Sequence, residues 1–425
     1  MKRFQRLIGL LVGGSLPLVM AMGQTPVNLS YADYMQRVAQ DNVGYAAEKL
    51  NVPAAQAEVT AAKVFNDPNL SVSYYNNENN SLQMGEGVEV ELSKTFSFGK
   101  RGANIALAKS EQALAEALLA DYLRNLRADA TLAYLEALRQ RQLFQVKQRT
   151  FESIDQLATS DSIRHQLGEI GEVDAIQSRV EAEVIRNEMV QTQAELYKAL
   201  SQLSVQTGSF STDTLFLPEG ELQLLEQNFV LADLLNEALL QRADLVAALQ
   251  DKEVAAKALK VARRERNTDV DLSVTVSRNA RVHNEEAPAP PFTGVSAGIA
   301  IPLKLSNFNK GTVRAARFRA QQAELRYEEA RLQVQTEVMQ AFWTYELSRK
   351  QVAQYDNGLL RQAEAVMEGK RYSYQRGEAS LIEVLDAQRT YDDVQAQYIE
   401  TLFNYSSALV ELERSAGQWN IQLQP

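Results

Sequence analysis

The chain contains no cysteine. Disulfides, thiolate metal sites and cysteine nucleophiles are therefore excluded, and so is a lipid anchor on cysteine after export. Histidine is almost missing, with His165 and His283 alone, which excludes most histidine-based zinc sites and argues against an acid–base enzyme. Proline (10) and glycine (20) are scarce among 425 residues, so collagen-like and low-complexity classes are out. Excess positive charge is missing too. With 44 Lys and Arg against 54 Asp and Glu the net charge is −10, unlike the basic face of a dedicated nucleic-acid binder. No HExxH, GxSxG or phosphate-loop pattern occurs, and acidic pairs are scattered as on ordinary helix surfaces. No enzymatic activity, cofactor or metal site is expected. His283 lies near Glu285 and Glu286 in an irregular segment, but three such residues make a poor metal site. What remains, 45% hydrophobic content and a mean hydropathy of −0.29, describes on average a soluble helical protein of two or three domains.

The exception to the average is residues 1–23. Lys2, Arg3 and Arg6 precede an apolar run from Leu7 to Met22 that ends in Ala21-Met22-Gly23, the pattern of a cleaved signal peptide. Gly13, Gly14 and Pro17 interrupt the run and disfavour an anchoring helix. Export is expected, with the mature chain starting near Gln24. No later stretch approaches the roughly 18 uncharged apolar residues of a membrane helix.

The rest is organised by a repeat. An offset of 209 residues carries Gly168-Glu169 onto Gly377-Glu378, Ala199-Leu200 onto Ala408-Leu409, Leu203 onto Leu412 and Gly208 onto Gly417, without a gap. Upstream, Phe98-Gly99-Lys100 matches Phe308-Asn309-Lys310 with the register changed by one. Repeat 1 (24–208) and repeat 2 (231–417) each read as a helix, two strands, a very long helix, a glycine turn and a returning helix. A less periodic linker (209–230) joins them and a short tail (418–425) follows. The long helices are expected over about 100–166 and 310–375, regions free of proline. Val334, Val338, Ala341, Tyr345, Ser348, Val352, Tyr355 and Leu359 follow the four-then-three spacing of a coiled-coil seam, as do Leu119, Leu123, Leu126, Ala130, Ala133 and Ala137. About 65 residues at 1.5 Å each span on the order of 100 Å, a length for bridging or spacing. Both rods end at related turns, Leu167-Gly168-Glu169-Ile170-Gly171 and Arg376-Gly377-Glu378-Ala379-Ser380. Ser380 with Glu383 forms a potential capping box for the next helix.

Four segments alternate polar and apolar residues, two at about 69–95 and two at about 269–304. Val270-Asp271-Leu272-Ser273-Val274-Thr275-Val276-Ser277 is the clearest. A half-buried sheet in a soluble domain gives this pattern, and so does a membrane β-barrel. The 8–11-residue length, the long polar connections and the aromatics beside bases favour the barrel. Phe96 and Phe98 precede Lys100-Arg101, and Phe308 precedes Lys310; these phenylalanines are the expected membrane-interface residues. Four strands leave two edges, and lipid tolerates none, so copies of the chain must close the barrel.

The run Tyr374-x-x-Gly377-x-x-Ser380-x-x-Glu383-Val384-Leu385-Asp386-Ala387-Gln388-Arg389 resembles the second hairpin tip of the TolC-like outer-membrane efflux proteins. The ending Ala408-Leu409-x-x-Leu412-x-x-x-x-Gly417 and the weaker Gly168-x-x-Gly171-x-x-Asp174-Ala175-Ile176-Gln177-Ser178-Arg179 resemble the same family. The resemblance implies a mostly α fold with a small β part. Helical hairpins would form a periplasmic tunnel and a homotrimer would close a transmembrane barrel in outer-membrane lipid. It implies a passive exit duct for small molecules such as drugs or metal ions, received from an inner-membrane pump through a periplasmic adaptor. By position, Leu167, Gly168, Glu169, Ile170, Gly171, Arg376, Gly377, Glu378, Ala379 and Ser380 would contact the adaptor. Glu364 and Glu368 would gate the tunnel, and the linker with the tail would form an equatorial belt. The competing reading is a periplasmic coiled-coil spacer without channel activity, which needs no alternating strands.

Overall fold

The structure is a computed structural model that describes residues 25–78, 83–209, 214–223, 227–303 and 308–421. The expected signal peptide (1–23) lies outside the described residues, as do linker residues 210–213 and 224–226, position 304 and tail residues 422–425. In chain order the elements are β1 (Thr25–Leu29), α1 (Tyr31–Asp41), α2 (Val43–Lys49), α3 (Asn51–Ala62), β2 (Asn69–Asn76), β3 (Glu86–Phe96), α4 (Lys100–Gln166) and α5 (Glu172–Gln206). There follow β4 (Thr214–Pro218), α6 (Leu231–Gln241), α7 (Ala243–Arg264), β5 (Val270–Asn279), β6 (Phe292–Ala300), α8 (Lys310–Gln354), a π turn (Tyr355–Leu359), α9 (Leu360–Gln375) and α10 (Leu381–Ala416). The fold is mostly helical with a small sheet part.

The turns that align between the two halves also share backbone conformation. Gly168 and Gly377 have φ of 80° and 75°, and Gly208 and Gly417 have 64° and 74°. Where Gly99 turns from strand into helix at φ 74°, Asn309 does so at φ 52°. Asparagine is the side chain that tolerates the left-handed region best after glycine, which explains that replacement.

The chain divides into two compact units. The first comprises Met1–Ala46, Arg124–Ala238 and Glu337–Pro425. Its part of α4 is buried well beyond a seam: Ala130 and Ala137 are covered as the spacing predicts, and so are Tyr134, Leu135 and Leu138. β1, the linker and the tail all contact this stretch. β1 and β4 pair in parallel, and the Tyr134 hydroxyl lies 2.9 Å from the Leu29 carbonyl and 2.8 Å from that of Glu219. Arg141 donates to the carbonyls of Pro218 and Gly220, and Arg127 stacks over Trp419.

In α8 the seam residues Val334, Val338, Tyr345, Ser348 and Val352 are buried. It ends at the π turn, where Leu359 is exposed. Gly358 there adopts φ 106°, ψ 7°, so the rod expected over 310–375 is broken into α8 and α9. A π turn inserts a residue and rotates the following helix face, which carries Leu359 off the seam.

The second unit comprises Ala47–Leu123 and Leu239–Thr336. It holds a four-stranded antiparallel sheet in the order β2-β3-β5-β6. Here α7 and α8 are joined by Lys252 to Glu324 at 2.9 Å. The fourth strand, read in the sequence as running towards Leu303, stops at Ala300.

Candidate functional site

The register of the sheet sorts its side chains into two faces. Leu70, Leu92, Val274 and Ala297 form one cross-strand row, and Val72, Val90, Val276 and Val295 the next, all on the same face. On the opposite face run Ser71, Glu91, Thr275 and Ser296, then Ser73, Glu89, Ser277 and Gly294. A soluble sheet buries its apolar face, but here that face is open. Leu70, Val72, Val88, Val90, Leu92, Leu272, Val274, Val276, Val295 and Ile299 are 39–73% exposed. Ten apolar side chains laid open together exceed what a water-facing surface normally carries. The polar face holds three carboxylates, Glu89, Glu91 and Asp271, and no Lys or Arg. The bases of the sheet, Lys94 and Arg278, both stand on the apolar face and towards its two ends. That is the distribution of a barrel wall with lipid on one side and water on the other. Among the described residues, β2 and β6 each have only one paired edge.

The helix-proximal end of the sheet is aromatic and basic. Phe96, Phe98 and Phe308 are all exposed, at 42%, 58% and 52%. Phe96 and Phe98 line one groove with Phe65, whose ring receives the Arg101 guanidinium at 3.9 Å. Phe308 stands apart from that groove and meets Arg266 at 5.9 Å. Lys100 is held by Asp269 at 2.6 Å. Phe65 was missed in the sequence because it follows a helix rather than a strand; its signal was the Lys63-x-Phe65 pairing of base and aromatic.

The two glycine turns belong to the first unit, where the ends of both helical hairpins share one core. Ile154, Leu157, Ala158, Ala182, Ile185, Tyr374, Leu381, Val384 and Leu385 form a buried cluster, with Ala379 packed against it. At the first turn the Glu169 amide donates to the Arg164 carbonyl at 2.9 Å, and at the second the Glu378 amide donates to Ser373 at 2.9 Å. Both are closures around a left-handed glycine. The turns then diverge. Gly171 starts α5 without a side-chain cap. Ser380 starts α10 with the full capping box, its amide donating to Glu383 at 2.9 Å. Leu167 is 70% exposed, Arg376 lies over the Tyr372 ring and 3.5 Å from Glu378, and Arg164 pairs with Glu169 at 3.3 Å. Two distant segments thus form small, largely exposed turns on one shared core.

Beneath the turns lies a polar pair absent from the sequence reading. The Tyr374 hydroxyl donates to Asp161 at 3.0 Å, and Arg164 lies 3.8 Å from the same carboxylate. Asp161 is fully buried and its second oxygen lacks a hydrogen bond. Burial pushes its carboxyl above the ordinary range, against the pull of Tyr374 and Arg164. The pair spans 213 residues of sequence, so no local pattern could have marked it.

Glu364 and Glu368 are both exposed on α9. The Tyr391 hydroxyl is pushed above its usual range, first by burial and then by the neighbouring Glu364 carboxylate. Nearby, Lys370 and Glu383 pair at 3.3 Å beside a groove of about 480 Å³ between α9 and α10. Among the described residues, no His, Asp and Glu gather as metal ligands.

Comparisons with known proteins bear on this geometry. The outer membrane efflux protein family model matches residues 234–418. The cobalt-zinc-cadmium resistance protein CzcC of Cupriavidus metallidurans is 24% identical over 398 residues, covering 92% of this chain and 90% of that protein. CusC, crystallised in forms that bear on folding and transmembrane channel formation, has a TM-score of 0.73 at 18% identity and covers 91% of this chain and 92% of its own. The CmeC outer membrane channel of Campylobacter jejuni has a TM-score of 0.75 at 14% identity, over 91% of this chain and 85% of that one.

Proposed function

We propose that the chain is a TolC-like outer-membrane efflux protein and that it is the exit duct of a tripartite efflux system. It is a passive channel, not an enzyme. The observation that carries the proposal is the sheet with its apolar face open and Glu89, Glu91 and Asp271 on the other face. A periplasmic spacer has no use for such a sheet.

In this reading residues 1–23 direct export, and three copies pair β6 of one with β2 of the next to close a twelve-stranded barrel. Exposed apolar residues also occur in the chain before β2 and after β6. Leu50, Val64 and Phe65 lie before β2, and Leu325 and Leu332 lie after β6 seven residues apart. Two such groups on one chain favour head-to-tail rings of copies. The helices then continue the ring as a periplasmic tunnel. Glu89, Glu91 and Asp271 line the barrel lumen, where three copies of each favour cations. The turns at 167–171 and 376–380 receive the periplasmic adaptor, which brings cargo from the inner-membrane pump. Glu364 and Glu368 narrow the tunnel as rings of like charge.

The cargo we assign is divalent metal cations rather than drugs. The acidic lumen supports this, as does the metal-resistance relative CzcC. The test is growth of a deletion strain on zinc, cobalt and cadmium salts and on lipophilic drugs. Sensitivity to the metals, restored by the wild-type chain, is the expected result; sensitivity to drugs alone overturns the cargo assignment.

A further inference from the structure

A groove of about 640 Å³ in the second unit lies between the end of α7 and the start of α8. Its lining includes Arg263, Lys310, Arg314 and Arg317, with Phe318, Val313 and Leu259 as apolar walls. No acidic residue lines it, on a chain whose net charge is −10. All four bases are exposed, and among the described residues none of them forms an ion pair with a carboxylate. Arg314 instead lies 5.7 Å from the centre of the Phe318 ring, which is itself 56% exposed. Four cations held in one concavity repel one another, so the site favours an anion. An exposed aromatic ring beside them favours a ligand with an apolar part. Position adds a third constraint. Arg263 stands in the last turn of α7 shortly before β5, and Lys310 opens α8 shortly after β6. The groove therefore adjoins the aromatic end of the sheet, where Arg266 meets Phe308.

We infer that this groove binds the headgroup phosphate of an anionic phospholipid of the periplasmic leaflet, with Arg263, Lys310, Arg314 and Arg317 as the phosphate ligands and Phe318 against the acyl region. Arginine forks suit phosphate oxygens, and bases near an anionic surface add their attractions. The bound lipid fixes the depth of the barrel in the membrane. The inference rests on the outer-membrane reading above.

Native mass spectrometry of the purified full-length protein, delipidated in detergent, tests it by titration with phosphatidylglycerol or phosphatidylcholine. The wild type is expected to bind phosphatidylglycerol at least about tenfold more tightly. Arg314→Gln with Arg317→Gln removes the preference, while Arg326→Gln with Arg331→Gln, an equal charge change further along α8, keeps it. Arg263→Gln with Lys310→Gln serves as a second pair should the first not assemble. Equal binding of the two lipids by the wild type overturns the inference. So does a preference that survives both groove pairs, or competition by inorganic phosphate as effective as by the lipid. Conductance in planar bilayers is recorded on the same samples. Normal conductance without lipid preference removes the groove assignment and leaves the duct; absent wild-type conductance removes the duct.

Discussion

The sheet and the turn cluster treat the same kinds of side chain in opposite ways. At the turns Val384, Leu385 and Ile154 are buried, and Leu167, Arg376 and Glu378 face outward. In the sheet Val90, Val274 and Val276 face outward, and Glu89, Glu91 and Asp271 occupy the opposite face. In the proposed duct the hydrophobic effect orders both regions, but the solvent differs. Water surrounds a helical core, whereas a barrel wall has lipid outside and water inside. Composition cannot reveal this, because the two arrangements use the same residues.

The contrast can be broken most severely at the sheet. Val276→Arg is expected to cost about 2–4 kcal/mol per chain in lipid and to remove the protein from the outer-membrane fraction, while Ser277→Arg assembles normally. Equal effects at both positions contradict the two-solvent account. At the turns, Leu385→Ala leaves a cavity among residues of both hairpins. It should lower stability by about 2–5 kcal/mol in denaturant titrations followed by circular dichroism, with the barrel unaffected. Gly377→Pro and Arg376→Glu act on the exposed side of the same region. Both should abolish efflux in resistance assays while the protein still assembles, and normal resistance would refute the adaptor assignment.

A smaller effect concerns Asp161. Its carboxyl titrates above the unfolded value because burial disfavours the charged form. The folded state thus holds the proton more tightly. The stabilisation is complete below the unfolded pKa and is lost as pH rises through the higher folded one. Hydrogen exchange at the turn cluster should therefore slow in wild type relative to Asp161→Asn as pH falls from neutral towards the acid range. A difference that does not change with pH refutes this. The mildest change expected is in Glu364→Gln with Glu368→Gln, which should weaken block by divalent cations in single-channel records without altering assembly.

Much of this was readable in the residues because it is local. Alternation along Val270 to Ser277 gives a strand, glycine spacing gives the turns, and Ser380 with Glu383 gives a cap. The contacts that the sequence concealed join distant segments. Tyr374 finds Asp161, and Thr150 finds Asp392 at 2.9 Å across 242 positions. The covering of Tyr134 by β1 and β4 is also non-local, since neither short strand alternates strongly enough to stand out. The break at Tyr355–Leu359 was marked only by Gly358, and a single glycine in a long helix does not announce a π turn. The average composition gave no sign of the sheet's open apolar face, because only four strands among the described residues carry it.

The cysteine-free sequence makes the central claim directly measurable. Val276→Cys and Ser277→Cys place one thiol each on neighbouring residues of opposite faces, and each can carry an environment-sensitive fluorophore in reconstituted protein. The label at position 276 should be quenched by lipid-borne quencher and shielded from iodide, and the label at position 277 should show the reverse. Quenching of both labels by iodide, with neither reached by lipid quencher, would contradict the account.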